Sequence, residues 1–86
     1  IILYTMRENE RLKDAEQWFE SNNIPLWGVN NNPAQERWSS SPKIYAHLYI
    51  DDAALGVPLK LNKKISDKYF VDWEKVENFL RENGII

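Results

Sequence analysis

Leu48-Tyr49-Ile50-Asp51-Asp52 is an apolar and aromatic run that ends abruptly at two adjacent carboxylates. A strand that buries its body and stops at paired acids puts negative charge at the carboxyl edge of a sheet, where open α/β folds place their ligands. Upstream the run continues through Ile44-Tyr45-Ala46-His47. Being almost continuously apolar, it suits a strand covered on both faces better than an alternating, half-exposed one. Residues 44–50 are therefore expected to form a buried strand with Asp51 and Asp52 at its end. Adjacent acids repel, so water or a cation has to compensate them. Mg²⁺ takes oxygen ligands and keeps several waters, so one or two protein carboxylates suffice. The competing local explanation is that Asp51 caps a turn and Asp52 is solvated, since Asp is a common turn former.

Working outward from that strand, residues 1–4 (Ile-Ile-Leu-Tyr) read as another apolar strand, closed by Thr5. From about Asn9 to Asn22, Leu12, Ala15, Trp18 and Phe19 fall at helical spacing, and Glu8 and Glu10 sit where a first turn favours negative charge. Asn22-Asn23 and Pro25 end that helix. Pro25-Leu26-Trp27-Gly28-Val29-Asn30 is short, apolar and bounded by breakers, which predicts a second buried strand. Strand, helix, strand implies one right-handed crossover with parallel strands. Residues 31–43 are polar and turn-rich, with room for one helical turn around residues 34–38. Beyond the acids, residues 53–59 predict a tight turn leading to an edge segment, and residues 61–68 a polar loop. Phe70-Val71 leads to Asp72, a good N-cap, and Trp73, Val76, Phe79 and Leu80 repeat at helical spacing before Gly84 supplies a stop.

Eighty-six residues predict one domain, 1–86, small enough that its core must be efficient. With 43% hydrophobic residues and four Trp, four Tyr and three Phe, the chain has core material and is globular rather than disordered. The 11 basic and 13 acidic residues are scattered, for a net charge of −2. That leaves no basic face, so nucleic acid is not an expected partner. Cysteine is absent and His47 is the only histidine, which excludes disulfides, thiolate chemistry and Cys- or His-rich metal sites. No apolar run approaches the roughly 20 residues that cross a bilayer and no signal peptide is visible, so the expected location is cytoplasmic, without membrane contact. The opening directly inside an apolar strand, at Ile1, leads us to expect residues upstream.

Three strands end in polar residues: Thr5 with Arg7, Asn30 with Asn31, and Asp51 with Asp52. Parallel strands bring those ends to one edge, where a hydroxyl, amides and a cation-binding acid pair would form a crevice suited to phosphate. Each residue also has a plainer explanation. Thr favours strands, Asn forms turns, Arg7 and Lys43 can be solvated, and the Trp residues at 18, 27, 38 and 73 serve as core or loop anchors. Asn31 to Pro42, with Arg37 and Trp38, is the expected region of substrate contact.

Ile2-Leu3-Tyr4-Thr5-Met6-Arg7, Ile24-Pro25-Leu26-Trp27-Gly28-Val29-Asn30, Ser41-Pro42-Lys43 and Leu48-Tyr49-Ile50-Asp51-Asp52, in this order, resemble the haloacid dehalogenase (HAD) superfamily. The match is to its small, capless bacterial and phage hydrolase-like members, over residues 1 to about 60. The resemblance implies a Rossmann-like α/β parallel sheet with flanking helices and phosphoryl transfer through an aspartyl-phosphate. It implies that Thr5 hydrogen-bonds the transferring phosphoryl group, that Lys43 steadies the charge of nucleophile and phosphate, and that Asp51 and Asp52 hold Mg²⁺. Arg7, Asn30 and Arg37 are the expected contacts to a small phosphorylated substrate. Phosphoryl transfer needs positioning and charge neutralisation, which a Mg²⁺, a Lys and a hydroxyl supply.

One part of the family pattern is missing. Its first motif, Asp-x-Asp-x-Thr, supplies the nucleophile at the end of the first strand, and no such sequence occurs here. In the family's strand order, 3-2-1-4-5, that first strand is central, so its neighbours would stand roughly 9 to 10 Å apart with unpaired backbone between them. The expected sheet is thus incomplete at its N-terminal strand, and an upstream segment or a partner strand is needed to fill it. Two other classes are compatible with these residues. A catalytically silent α/β binding module could keep the metal and anion crevice. A receiver domain also uses an acid pair, Mg²⁺, a Thr and a Lys, but with the acid pair first in the chain, whereas here Thr5 and Lys43 precede Asp51.

Overall fold

The computed structural model describes residues 1–86. It is a mixed α/β structure with two α-helices and four short strands in two small sheets. The chain folds as two compact units, residues 1–47 and residues 48–86.

The first unit is built on strand β1 (Ile2–Leu3), helix α1 (Asn9–Ser21) and strand β2 (Gly28–Val29). The two strands are parallel, as the strand–helix–strand pattern predicts, with Ile2 opposite Gly28 and Leu3 opposite Val29. Bonds on either side prolong the pairing: the Trp27 N–H donates to the Ile1 carbonyl at 2.7 Å and the Asn30 N–H to the Leu3 carbonyl at 2.8 Å. In α1, Leu12, Ala15 and Phe19 are the half-buried residues, one stripe at spacings of three and four. The helix stops because Asn23 adopts the left-handed conformation, φ 56°. Asn reaches that region more readily than most residues with a Cβ. The Ile24 N–H then turns back to the Phe19 carbonyl at 2.9 Å and the Asn23 N–H to that of Glu20 at 3.1 Å, which satisfies carbonyls the helix end leaves open. A 3₁₀ turn at Gln35–Arg37 falls inside the helical turn expected at residues 34–38.

In the second unit, strands β3 (Leu59–Lys60) and β4 (Phe70–Val71) pair antiparallel, Leu59 opposite Val71. Helix α2 (Trp73–Glu82) follows at once. Asp72 caps it as expected, its Oδ1 accepting the Lys75 N–H at 3.1 Å. Val76 is buried and Leu80 half-buried one turn later, so this edge of α2 is the one that packs. Gly84, φ 70°, ends the helix by the same device as Asn23: the Ile85 N–H donates to the Leu80 carbonyl at 2.9 Å and the Gly84 N–H to that of Arg81 at 3.2 Å.

Two expectations are corrected. The parallel sheet holds two strands, not three or more. Residues 44–50 are not a strand, and the boundary between the units, after His47, runs through them. A strand requires a neighbour for its N–H and C=O groups. Here side chains take that role: the Gln35 Oε1 accepts the Tyr45 N–H at 2.8 Å, and the Asn32 Nδ2 donates to the Tyr45 carbonyl at 3.2 Å. Amides from a neighbouring loop thus meet the backbone at Tyr45 where a ladder would have, and the chain bends at His47.

The Trp residues are not core. All four, at positions 18, 27, 38 and 73, are more than half exposed. Trp27 and Trp38 do serve as loop anchors: the Trp27 Nε1–H donates to the Asn32 Oδ1 at 3.1 Å, and Trp38 meets Tyr45 edge to face with 5.3 Å between ring centres. Among apolar residues only Val71 and Val76 are buried.

Candidate functional site

The carboxyl ends of β1 and β2 bring Thr5 and Asn30 together. Asn30 is left-handed, φ 55°, so the chain turns sharply after β2 and the Asn side chain folds back over the end of β1. There its Oδ1 accepts the backbone N–H of Thr5 at 2.9 Å. The Thr5 hydroxyl oxygen accepts the Arg7 N–H at 3.1 Å. A hydroxyl that accepts one bond still has its hydrogen to donate. Thr5 is half-buried, so that donor sits at the rim rather than in open solvent.

Gly28 makes the turn possible. A Cβ there would collide with the backbone carbonyl of Asn31 and crowd the Asn31 Oδ1 and the Pro33 ring. Close approach of backbone to backbone is a place where only glycine fits.

Two amides that the sequence did not mark as important organise the rest of this unit. Gln35 is the one buried polar residue. Its Nε2 donates to the carbonyls of Lys43, at 2.7 Å, and Ser41, at 3.2 Å, while its Oε1 takes the Tyr45 N–H. Asn32 accepts from the Ala34 N–H at 3.2 Å, starting the 3₁₀ turn, and holds Trp27 and Tyr45 as described. Together they fix the backbone on both sides of Lys43, whose own N–H donates to the Ser41 Oγ at 3.2 Å. The Lys43 side chain is exposed. Asn32-Pro33 is a legible turn signal in the sequence. Nothing in the sequence marks Gln35 as a hub, since a lone Gln in a polar stretch is ordinarily solvated.

Arg7 directs its Nη1 to the Arg11 carbonyl at 3.2 Å in α1, which leaves most of the guanidinium donors available. Arg37 closes the 3₁₀ turn and is exposed.

Asp51 and Asp52 belong to the second unit. They open a turn rather than end a strand: the Asp51 Oδ1 accepts the Ala53 N–H at 2.8 Å and its carbonyl accepts the Ala54 N–H at 3.0 Å. This is the self-capped turn that Asp forms readily. Both residues are exposed. As hard oxygen donors they suit Mg²⁺ in kind, and in number they form part of a ligand set, because no three acidic or histidine side chains gather anywhere in the structure.

No helix is long and apolar enough to cross a membrane. No protein-family model, no curated protein and no solved structure matches this chain.

Proposed function

We propose that this chain is the C-terminal part of a cytoplasmic, Mg²⁺-dependent HAD-type phosphohydrolase. It acts on a small phosphomonoester through an aspartyl-phosphate whose Asp lies outside residues 1–86. The supporting observation is the pairing of Thr5 with Asn30 at the carboxyl ends of two parallel strands joined by a helix, the position at which α/β folds bind ligands. In this role the Thr5 hydroxyl donates its free hydrogen to a phosphoryl oxygen. The Lys43 ammonium offsets charge on the transferring group, from a backbone that Gln35 and Ser41 hold in place. Arg7, Arg37 and the Asn30 amide position the substrate. Holding reactants in register and aiming fixed donors at developing charge are the two contributions a protein makes to phosphoryl transfer. Asp51 and Asp52 would hold the Mg²⁺, with water and residues outside the chain completing the shell. When bound, the ion neutralises phosphoryl charge.

The Rossmann-like sheet is completed, in this proposal, by a further strand from an upstream segment or a partner. A pair of two-residue parallel strands is too small to be stable alone, and parallel sheets are covered on both faces. Here Ile2, Leu3 and Val29 remain only half-buried.

A second reading is a catalytically silent α/β binding module. The observation favouring it is that one Asp51 oxygen is engaged in its own turn and no third acid joins the pair. Acid quenching separates the two. The protein as its gene encodes it is mixed with a ³²P-labelled phosphomonoester and Mg²⁺, then stopped in acid. The proposal expects label on the protein that hydroxylamine removes, as it does from an acyl phosphate. Turnover with no protein-bound label would overturn the aspartyl-phosphate, and no turnover on any phosphomonoester would favour the silent module.

A further inference from the structure

Continuous with the Thr5–Asn30 rim through Asn30, the first unit carries a shallow, largely open depression of about 300 Å³. Its wall is made by Asn31, Gln35, Glu36, Ser40, Ser41 and Ile44, with neighbouring Asn, Ser and Pro residues between them. Most of the lining residues carry amides or hydroxyls, although polar and apolar surface are about equal; Glu36 is the only charged group, and no Lys, Arg or aromatic side chain lines it.

The polar groups divide into two kinds. Gln35 spends both amide hydrogens and its oxygen on the backbone of residues 41–45. Asn32 commits its oxygen to Trp27 and Ala34 and one amide hydrogen to Tyr45. These bonds tie together the backbone of residues 41–45 and the loop behind it without any ligand. The Ser39 and Ser41 hydroxyls each accept one local N–H and keep a hydrogen to donate. The Asn31 amide, the Ser40 hydroxyl and the Glu36 carboxylate are exposed, with no bond inside the structure to give up. A backbone fixed in advance lowers the ordering cost of binding to that of the few exposed side chains that meet the ligand.

From this inventory we infer that the depression binds a neutral polyhydroxylated ligand through a vicinal diol. A carboxylate accepts both hydrogens of adjacent hydroxyls, in charge-assisted bonds roughly twice as strong as neutral ones. The Asn31 amide and the serines then meet the hydroxyl oxygens. Each ligand hydroxyl both donates and accepts, which matches a wall carrying both functions. Pro42 and Ile44 supply an apolar patch for the C–H face of a sugar ring. Anions are disfavoured, since the only charge in the wall is negative. A flat base finds no ring to stack on. The inference stands whether or not the chain takes part in phosphoryl transfer.

The test is a titration of ¹⁵N-labelled protein, as its gene encodes it, with myo-inositol, glucose and, separately, inorganic phosphate and adenine. Expected are saturable shifts at the amides of Asn31, Glu36 and Ser40 with at least one of the two polyols, and none at Glu36 and Ser40 with phosphate or adenine; a phosphate shift confined to Thr5, Asn30 and Asn31 belongs to the phosphoryl rim and leaves the inference standing. Glu36→Gln keeps the size of the side chain and loses its charge; it should weaken polyol binding about tenfold, and Ser40→Ala several-fold. Both positions are exposed, and an unchanged Tyr45 amide shift verifies that the wall is intact. No saturable shift with either polyol, an equal response of Glu36 and Ser40 to phosphate or adenine, or undiminished binding by Glu36→Gln would each overturn the inference.

Discussion

The backbone N–H of Thr5 donates to the side chain of Asn30 at 2.9 Å, and the backbone N–H of Asn30 donates to the carbonyl of Leu3 at 2.8 Å. One residue thus ties the end of β2 to the end of β1 twice, once through its main chain and once through its side chain. The main-chain bond belongs to the parallel ladder. The side-chain bond exists because Asn30 is left-handed and its short amide reaches back.

Asn30→Ala should therefore lose a hydrogen bond and add strain, costing about 2 kcal/mol in urea unfolding. Asn30→Gly should recover the strain and not the bond. A glycine variant no more stable than the alanine variant would show that the left-handed backbone is not a source of the loss.

Gly28→Ala places a methyl group against the carbonyl of Asn31. Because the obstacle is backbone, relief requires the turn after β2 to shift. We expect a loss of about 1–3 kcal/mol, in the range of overpacking substitutions, together with weakened hydrogen-exchange protection of the Thr5 amide. Wild-type stability in this variant would mean that residues 28–31 do not approach as closely as described.

Gln35→Met keeps the length of the side chain and removes three hydrogen bonds. At roughly 1 kcal/mol each, with an added penalty for carbonyls left unpaired, the loss should be about 2–4 kcal/mol. The signature is local: the Tyr45 amide should exchange faster while α1 amides change only with global stability. Retained protection at Tyr45 would remove Gln35 as the organiser of the backbone around Lys43.

The two helix ends offer a matched pair. Gly84→Ala forces a Cβ into the left-handed region at the end of α2 and should cost about 1 kcal/mol. Gly84→Asn should cost less, because Asn23 occupies the equivalent position at the end of α1. Asp72→Ala should cost about 1 kcal/mol through loss of the cap on Lys75. Circular dichroism melts of the three variants check the order.

Much of this architecture is legible in the residues themselves. The stripe of Leu12, Ala15 and Phe19, the cap at Asp72 and the stop at Gly84 depend on local geometry, and the sequence carries local geometry directly. The parallel pairing of residues 1–4 with residues 25–30 follows from their spacing around one helix. The strand expected at 44–50 fails for the opposite reason. A run of apolar residues records a tendency to be extended and covered, and whether a ladder forms depends on a neighbour elsewhere in the chain. Here Gln35 and Asn32 take the N–H and C=O of Tyr45. The antiparallel pairing of Leu59 and Lys60 with Phe70 and Val71 was hidden similarly, because strands of two residues carry no periodicity. At the site, Thr5 and Asn30 were legible as strand-end polar residues. Gln35 was not, since its importance arises from three partners six to ten residues away.

The most direct test of the phosphohydrolase proposal is release of inorganic phosphate by the protein as its gene encodes it, across a panel of small phosphomonoesters with Mg²⁺ and with EDTA. Wild type is compared with Asp52→Asn and Lys43→Ala. The account predicts Mg²⁺-dependent hydrolysis of at least one ester, reduced a hundredfold or more in both variants with their folds intact. Hydrolysis that persists in EDTA, or full activity in Asp52→Asn, would contradict it.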